Sequence, residues 1–263
     1  MNRSMHETDQ FLTTPQTPVI KVESLTVRYG ENTILDNVNL EVFKGEILVI
    51  AGGSGCGKST LLKQIIGLEK PLAGKIWIDG VDITEAEDEQ FEEIRKKMGV
   101  LFQSSALFGS MTLSENIILP LMTFTDLPPE TIALIMKMKL GMVGLAGYEN
   151  HFPDELSGGM KKRAGIARAI AMDPQILFLD EPSASLDPVT AAGLDHLILN
   201  INHGMGTTMM IVTHELQSIF NVAQRIILLD KSQKGIIAEG SPLELKEHST
   251  DPRVRNFFNR KAA

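Results

Sequence analysis

The chain has 263 residues, enough for one large α/β domain or a core carrying one inserted subdomain. Its 33 acidic residues outnumber 25 basic ones, and a formal charge of −8 argues against a broad nucleic-acid-binding face, so no nucleic-acid partner is expected. A single cysteine, Cys56, excludes an intrachain disulfide, and no run of about 18 apolar residues is present to span a membrane.

Met1 to Pro18 is polar and lacks the apolar core of a secretory signal, so residues 1–18 are expected to form a flexible tail. Alternating side chains predict strands over Val19–Tyr29 and Ile34–Val42, joined by a Gly30-Glu31-Asn32 turn. Ile47-Leu48-Val49-Ile50, bounded by Gly45 and Gly52, reads as a buried strand. It leads into Gly52-Gly53-Ser54-Gly55-Cys56-Gly57-Lys58-Ser59, a complete G-x-x-x-x-G-K-S loop, and then a helical pattern that stops at Gly67. Glycines let successive N–H groups turn inward on phosphate oxygens, and the following helix adds the positive end of its dipole. Lys58 can reach the β and γ phosphates, and the Ser59 hydroxyl can hold Mg²⁺. Strand, loop and helix together predict binding of a nucleoside triphosphate. Cys56 reads either as an oxidation-sensitive thiol or as a small residue filling the loop.

Gly74 to Gly80 is a further short strand, with Trp77 as a packing residue, and a helix-prone stretch over 84–97 precedes a strand at Met98–Phe102. From Ser104 to about Ala171 the pattern turns helical, punctuated by Pro120, Pro128, Pro129 and Pro153. Methionine is frequent here (Met111, Met122, Met136, Met138, Met142, Met160 and Met172), and most are expected in the core, with an exposed subset free to line a docking groove. The strand Gln175–Asp180, a helix over Pro188–Ile201, the strand Thr207–Val212, a helix near Glu215–Ala223 and a hairpin of Arg225–Asp230 with Gly235–Ala238 follow. Such alternation predicts a parallel sheet covered on both faces. Beyond Pro242, Arg253, Arg255, Arg260 and Lys261 with Phe257 and Phe258 suit either a helix packed on a partner or a frayed terminus.

Asp180 and Glu181 end an apolar strand, where carboxylates face the ligand crevice of parallel sheets. Asp180 is placed to bind Mg²⁺ and Glu181 to act as general base on a water. In Leu156-Ser157-Gly158-Gly159-Met160-Lys161-Lys162-Arg163, Ser157 reads as a helix N-cap beside two glycines, a second anion-binding turn.

Leu-Ser-Gly-Gly some twenty residues before a strand ending in Asp-Glu, downstream of a phosphate loop, resembles the ATP-binding subunit of ABC transporters over about residues 19–240. The resemblance implies an α/β fold: a RecA-like P-loop NTPase core with an antiparallel β subdomain and an inserted α-helical subdomain near 104–171, followed by a C-terminal tail or helix over 241–263. It implies ATP and Mg²⁺ as cofactors, with Glu181, His214, Gln103 and Lys58 in the catalytic set. Gln103 matches the Q-loop glutamine, Ser185-Leu186-Asp187 the D-loop, and His214 the switch histidine at the γ-phosphate. Tyr29 matches the aromatic that stacks on adenine, although it also suits a hairpin cap. Nucleotide contacts are implied for Gly52, Gly53, Ser54, Gly55, Cys56, Gly57, Lys58, Ser59 and Thr60, and for Ser157, Gly158, Gly159 and Asp187; metal contacts for Ser59, Gln103 and Asp180. Met160 departs from the family's usual glutamine, and a thioether cannot donate an amide's hydrogen bonds.

The family also implies a second copy of the chain, packed head to tail, so that the Ser157 turn of one covers ATP on the Lys58 loop of the other. The Met after Ser-Gly-Gly and Ala106-Leu107-Phe108 after Gln103 resemble the Mla-type phospholipid transport ATPases. That likeness implies a transmembrane permease, an MCE-domain protein and a STAS-type regulator as partners, with the chain cytoplasmic and peripheral on the inner membrane. Alternatives are another ABC importer or exporter, a nontransport ABC ATPase acting on nucleic acid or ribosomes, and a nonhydrolysing nucleotide sensor.

Overall fold

Two sheets of opposite character organise residues 17–260, the part of the chain described by a computed structural model. The expected tail therefore lies outside the described residues as far as residue 16. The first sheet begins with the hairpin β1 (Ile20–Tyr29) and β2 (Asn32–Val42), antiparallel from Ile20 opposite Val42 to Tyr29 opposite Asn32. Next come β3 (Ile47–Gly52), α1 (Lys58–Ile65), β4 (Ala73–Ile78), β5 (Val81–Asp82), α2 (Asp88–Lys96) and β6 (Met98–Leu101). Three helices follow: α3 (Leu113–Phe124), α4 (Pro129–Met142) and α5 (Gly158–Ala169). The chain then returns through β7 (Ile176–Asp180), α6 (Pro188–Met205), β8 (Thr208–Val212), α7 (Leu216–Val222), β9 (Arg225–Asp230) and β10 (Gly235–Gly240), ending in α8 (Pro242–His248) and α9 (Pro252–Phe258).

The smaller sheet has order β2-β1-β4-β5, and the larger has order β10-β9-β3-β8-β7-β6. All neighbouring pairs in the larger sheet are parallel except β10 on β9. Successive side chains of a strand point to opposite faces. Ile47, Val49 and Ala51 of β3 accordingly join a core with the helices, while Leu48 and Ile50 join a core with the smaller sheet. Phe178, Met210 and Ile227 face the smaller sheet in the same way, and Leu177, Met209 and Ile226 the helices. Both faces being covered, these strands are apolar throughout, as the fully buried patterns of β3 and β8 show. The fold is a mixed α/β core with an antiparallel β layer on one face and a helical region on the other.

Local chemistry sets the helix ends. Thr112 and Glu115 form a reciprocal capping box on α3, and Asp187 accepts from the N–H groups of Val189 and Thr190 at the start of α6. The α6 helix runs four residues beyond its expected end because the next left-handed stop is Gly206, at φ 65°. Between α3 and β6, the buried amide of Asn116 donates to the carbonyls of Phe108, Met111 and Thr112 and so closes the intervening loop.

Two expectations change. Of the seven methionines between 111 and 172, only Met136 is buried, while Met122, Met138 and Met142 are exposed, because the α3–α4 pair packs through one face only. The described C-terminal residues are not frayed: Val254 and Phe258 of α9 are buried in the helix-side core, with the tilted ring of Phe220 of α7 centred 5.8 Å from that of Phe258. Arg253 pins α9 by pairing with Asp230 and Asp251.

Candidate functional site

The phosphate loop bridges β3 and α1 at the C-terminal edge of the parallel sheet. Gly52 takes φ 145°, and a Cβ there would lie 2.4 Å from the Leu229 carbonyl oxygen, so no side chain fits. Gly57, at φ 101°, turns the chain into α1. Lys58 folds back over the loop, its Nζ donating to the carbonyls of Gly52 at 3.0 Å and Gly53 at 3.1 Å. Gly53, Ser54, Gly55 and Ser59 are exposed at the mouth, with Thr60 half-buried beside them. The Cys56 thiol instead points inward and is buried, which pushes its pKa up. Of its two readings, the structure gives the filler.

The Ser59 hydroxyl donates to Oδ1 of Asp180 at 3.3 Å. Burial raises the Asp180 carboxyl above its ordinary range, opposed by the Ser59 hydrogen bond. Glu181 follows at φ 47°, a left-handed conformation costly for a glutamate, held by its N–H donating to the Val212 carbonyl at 2.8 Å. Its Oε1 lies 2.7 Å from Nδ1 of His214, and its Oε2 is buried without a partner. His214, two residues past the end of β8, is exposed. Gln103 joins these groups around one cavity of about 520 Å³, so Lys58, Ser59, Thr60, Gln103, Glu181 and His214 converge as the sequence suggested.

Tyr29 ends β1 with 46% of its surface exposed, and its hydroxyl donates to Glu69, which raises its pKa. Ser157, Gly158, Gly159 and Asp187 do not join the phosphate-loop cavity. Ser157 caps α5 by accepting from the Met160 N–H at 3.3 Å. A Cβ on Gly159 would stand 2.5 Å from the Thr190 side-chain methyl of α6, so any larger residue there would push that side chain aside. Gly158 lines a second cavity of about 570 Å³ with Gln103, Asp180 and Ser185. Asp187 spends its carboxylate on the α6 cap.

Three residues at the site were not singled out by sequence. Lys162, only 6% exposed, donates from Nζ to the carbonyls of Gln103 at 2.6 Å and Glu181 at 2.9 Å. Burial lowers its pKa, against the raising influence of Asp180 and Glu181. Arg168 donates to the carbonyls of Ser105 at 3.1 Å and Ala106 at 2.8 Å. Phe257 of α9 closes one side of the phosphate-loop cavity.

A phosphate loop after β3 facing a strand-end Asp-Glu pair on β7, with β8 between them in one parallel sheet, defines a P-loop nucleoside triphosphatase. The sequence profile described as ABC transporter matches residues 35–184, and the chain belongs to that family as an ATP-binding, ATP-hydrolysing subunit. It is 44% identical over 245 residues to the "Probable ribonucleotide transport ATP-binding protein mkl" of Mycobacterium leprae, covering 93% of this chain and 70% of that one. It is 41% identical over 240 residues to the "Intermembrane phospholipid transport system ATP-binding protein MlaF" of Haemophilus influenzae, covering 91% of this chain and 90% of that one. A dimeric structure of a post-hydrolysis state of the ATP-binding cassette MJ0796, bound to ADP and Pi, superposes with a TM-score of 0.77 at 33% identity, over 84% of this chain and 98% of that one. Among the described residues no helix is long and apolar enough to cross a membrane.

Proposed function

We propose that the chain powers phospholipid transport between membranes, acting on the cytoplasmic face of the inner membrane with a permease and an MCE-domain partner. The observation carrying this reading is the similarity to MlaF, which extends over nine-tenths of both chains. The rival cargo is a ribonucleotide, from the mkl similarity, which spans 70% of that longer relative.

In this reading ATP lies with its phosphates in the loop from Gly52 to Thr60 and its adenine on Tyr29. The donor set at Ser59 and Asp180, a hydroxyl and a carboxylate within hydrogen-bond reach, suits a hard cation that retains waters and phosphate oxygens. Ser59, Asp180 and the Gln103 amide would hold Mg²⁺, which neutralises charge on the β and γ phosphates. Lys58 exchanges its loop carbonyls for phosphate oxygens. Glu181 accepts a proton from the attacking water, and His214, hydrogen-bonded to Oε1, fixes the carboxylate and faces the γ-phosphate.

Ser157 and Gly158 lie exposed and outside the phosphate-loop cavity, which supports a second copy supplying the other half of each nucleotide's cradle. Asp187, on the same rim, would meet that copy. An apolar groove of about 430 Å³ beside Phe102, Phe108, Pro120 and Phe124 is a suitable seat for a permease helix. Affinity purification from detergent-solubilised membranes, with every co-eluting chain identified, tests the assignment. A permease together with an MCE-domain protein is expected; a permease of another class would replace the lipid cargo.

A further inference from the structure

We infer that Lys162 is a positioning residue, which ties the Ser157 turn to both backbone segments that carry the γ-phosphate groups of its own site. The inference rests on the roles proposed for Gln103 and Glu181. A buried ammonium is costly unless its donors are used, and here hydrogen bonds to two main-chain oxygens use two of the three. The acceptors are the main-chain oxygens of Gln103 and Glu181, the residues that emerge from the neighbouring strands β6 and β7. Lys162 is five positions after Ser157 on the same helix, about 7.5 Å along its axis.

Main-chain attachment distinguishes this from an ordinary ion pair. Lys162 leaves the Gln103 amide and Glu181 carboxylate free for chemistry while fixing where they start from. The segments it holds are strained: Glu181 has φ 47°, and Ser105 and Ala106 have φ 63° and 47°. Arg168, further along α5, grips the carbonyls of Ser105 and Ala106, so one helix holds the segment 103–106 from both ends. Arg163, by contrast, reaches only the Val143 carbonyl, away from the site. When the Ser157 turn closes on a nucleotide held by the second copy, displacement of α5 therefore reaches Gln103 and Glu181 of its own site. Each site is informed of the other through one ammonium.

The test uses the full chain with Lys162→Met, Lys162→Arg and Glu181→Gln, measuring steady-state ATPase and affinity for a fluorescent ATP analogue. Lys162→Met keeps length but has no donors, and kcat is expected to fall about tenfold or more while analogue affinity stays within about twofold. Lys162→Arg, which keeps the donors, is expected to recover most of kcat. A Lys162→Met protein with kcat within about twofold of the native chain, or with affinity falling in step with kcat, overturns the inference. Should Lys162→Met fail to fold, Lys162→Leu, which also lacks donors, is judged by the same two outcomes. Fast turnover by Glu181→Gln sinks the catalytic reading itself, whereas an inert Glu181→Gln beside an undisturbed Lys162→Met sinks only the role of Lys162.

Discussion

Nδ1 of His214 sits 2.7 Å from Oε1 of Glu181, joining the second residue past β8 to the first residue past β7 where Asp180 and Val212 pair across the sheet. That contact orients one oxygen of the carboxylate and, among the described residues, leaves Oε2 without a donor. Glu181→Gln keeps the shape and the link to His214 but cannot take a proton. Its turnover is expected to drop by roughly 10²–10⁴-fold while ATP binding and ATP-driven association persist. Phosphate release and light scattering of the ATP-bound form measure the two halves of that statement.

Phe108 is 49% exposed on the rim of the apolar groove, with the Arg168 guanidinium 5.7 Å above its ring. Phe108→Asp removes apolar surface without touching the core. Folding stability should change by about 0.5 kcal/mol or less, whereas transport by the assembled complex should fail. A thermal melt and a reconstituted lipid-transfer assay separate these effects, and normal transfer would exclude the groove as the permease seat.

Phe258 fills the helix-side core against Phe220 and Phe257, at 5% exposure. Phe258→Ala is expected to cost about 3–5 kcal/mol in urea unfolding, the range for losing a buried phenyl ring. A loss below about 1 kcal/mol would mean that α9 is not part of the cooperative unit.

Asp195 of α6 is buried, which raises its pKa, while hydrogen bonds from Asn221 and Ser218 oppose the shift. The native state therefore holds this proton more tightly than the unfolded chain. Its contribution to stability is complete below the reference value of 3.8 and is lost as pH rises through the folded pKa. Asp195→Asn should flatten that dependence and be at least as stable as the native chain near neutral pH. Urea midpoints across about pH 4 to 8 check the sign; a variant that loses stability relative to the native chain as pH rises would contradict it.

Whatever depended on local pattern was readable. β3, β7 and β8 announced themselves as unbroken apolar runs, and the loop from Gly52 to Ser59 carried its own geometry in its glycines. Ser157 was recognisable as a cap because the capping oxygen and the amide it serves are three residues apart. Lys162 was hidden: within Lys161-Lys162-Arg163 it looks like solvent-facing charge, and its acceptors stand 59 and 19 residues away. Phe257 was hidden for the same reason, since nothing near it in sequence points to the phosphate loop. The methionines divided between core and surface, Met136, Met160 and Met172 packing inward while Met122, Met138 and Met142 stay exposed, because a helix pair packed on one side leaves its other face in water.

Because Phe257 walls the cavity that begins at Gly52, the nascent polypeptide exposes its phosphate loop long before the enclosure can be finished. Translation proceeds from the amino end, so the growing chain passes through a stage with the nucleotide cradle translated and its last wall still missing. The wall that α9 contributes is thus the part of the enclosure most distant in sequence from the loop it covers, and losing α9 would leave the phosphate loop open on that side.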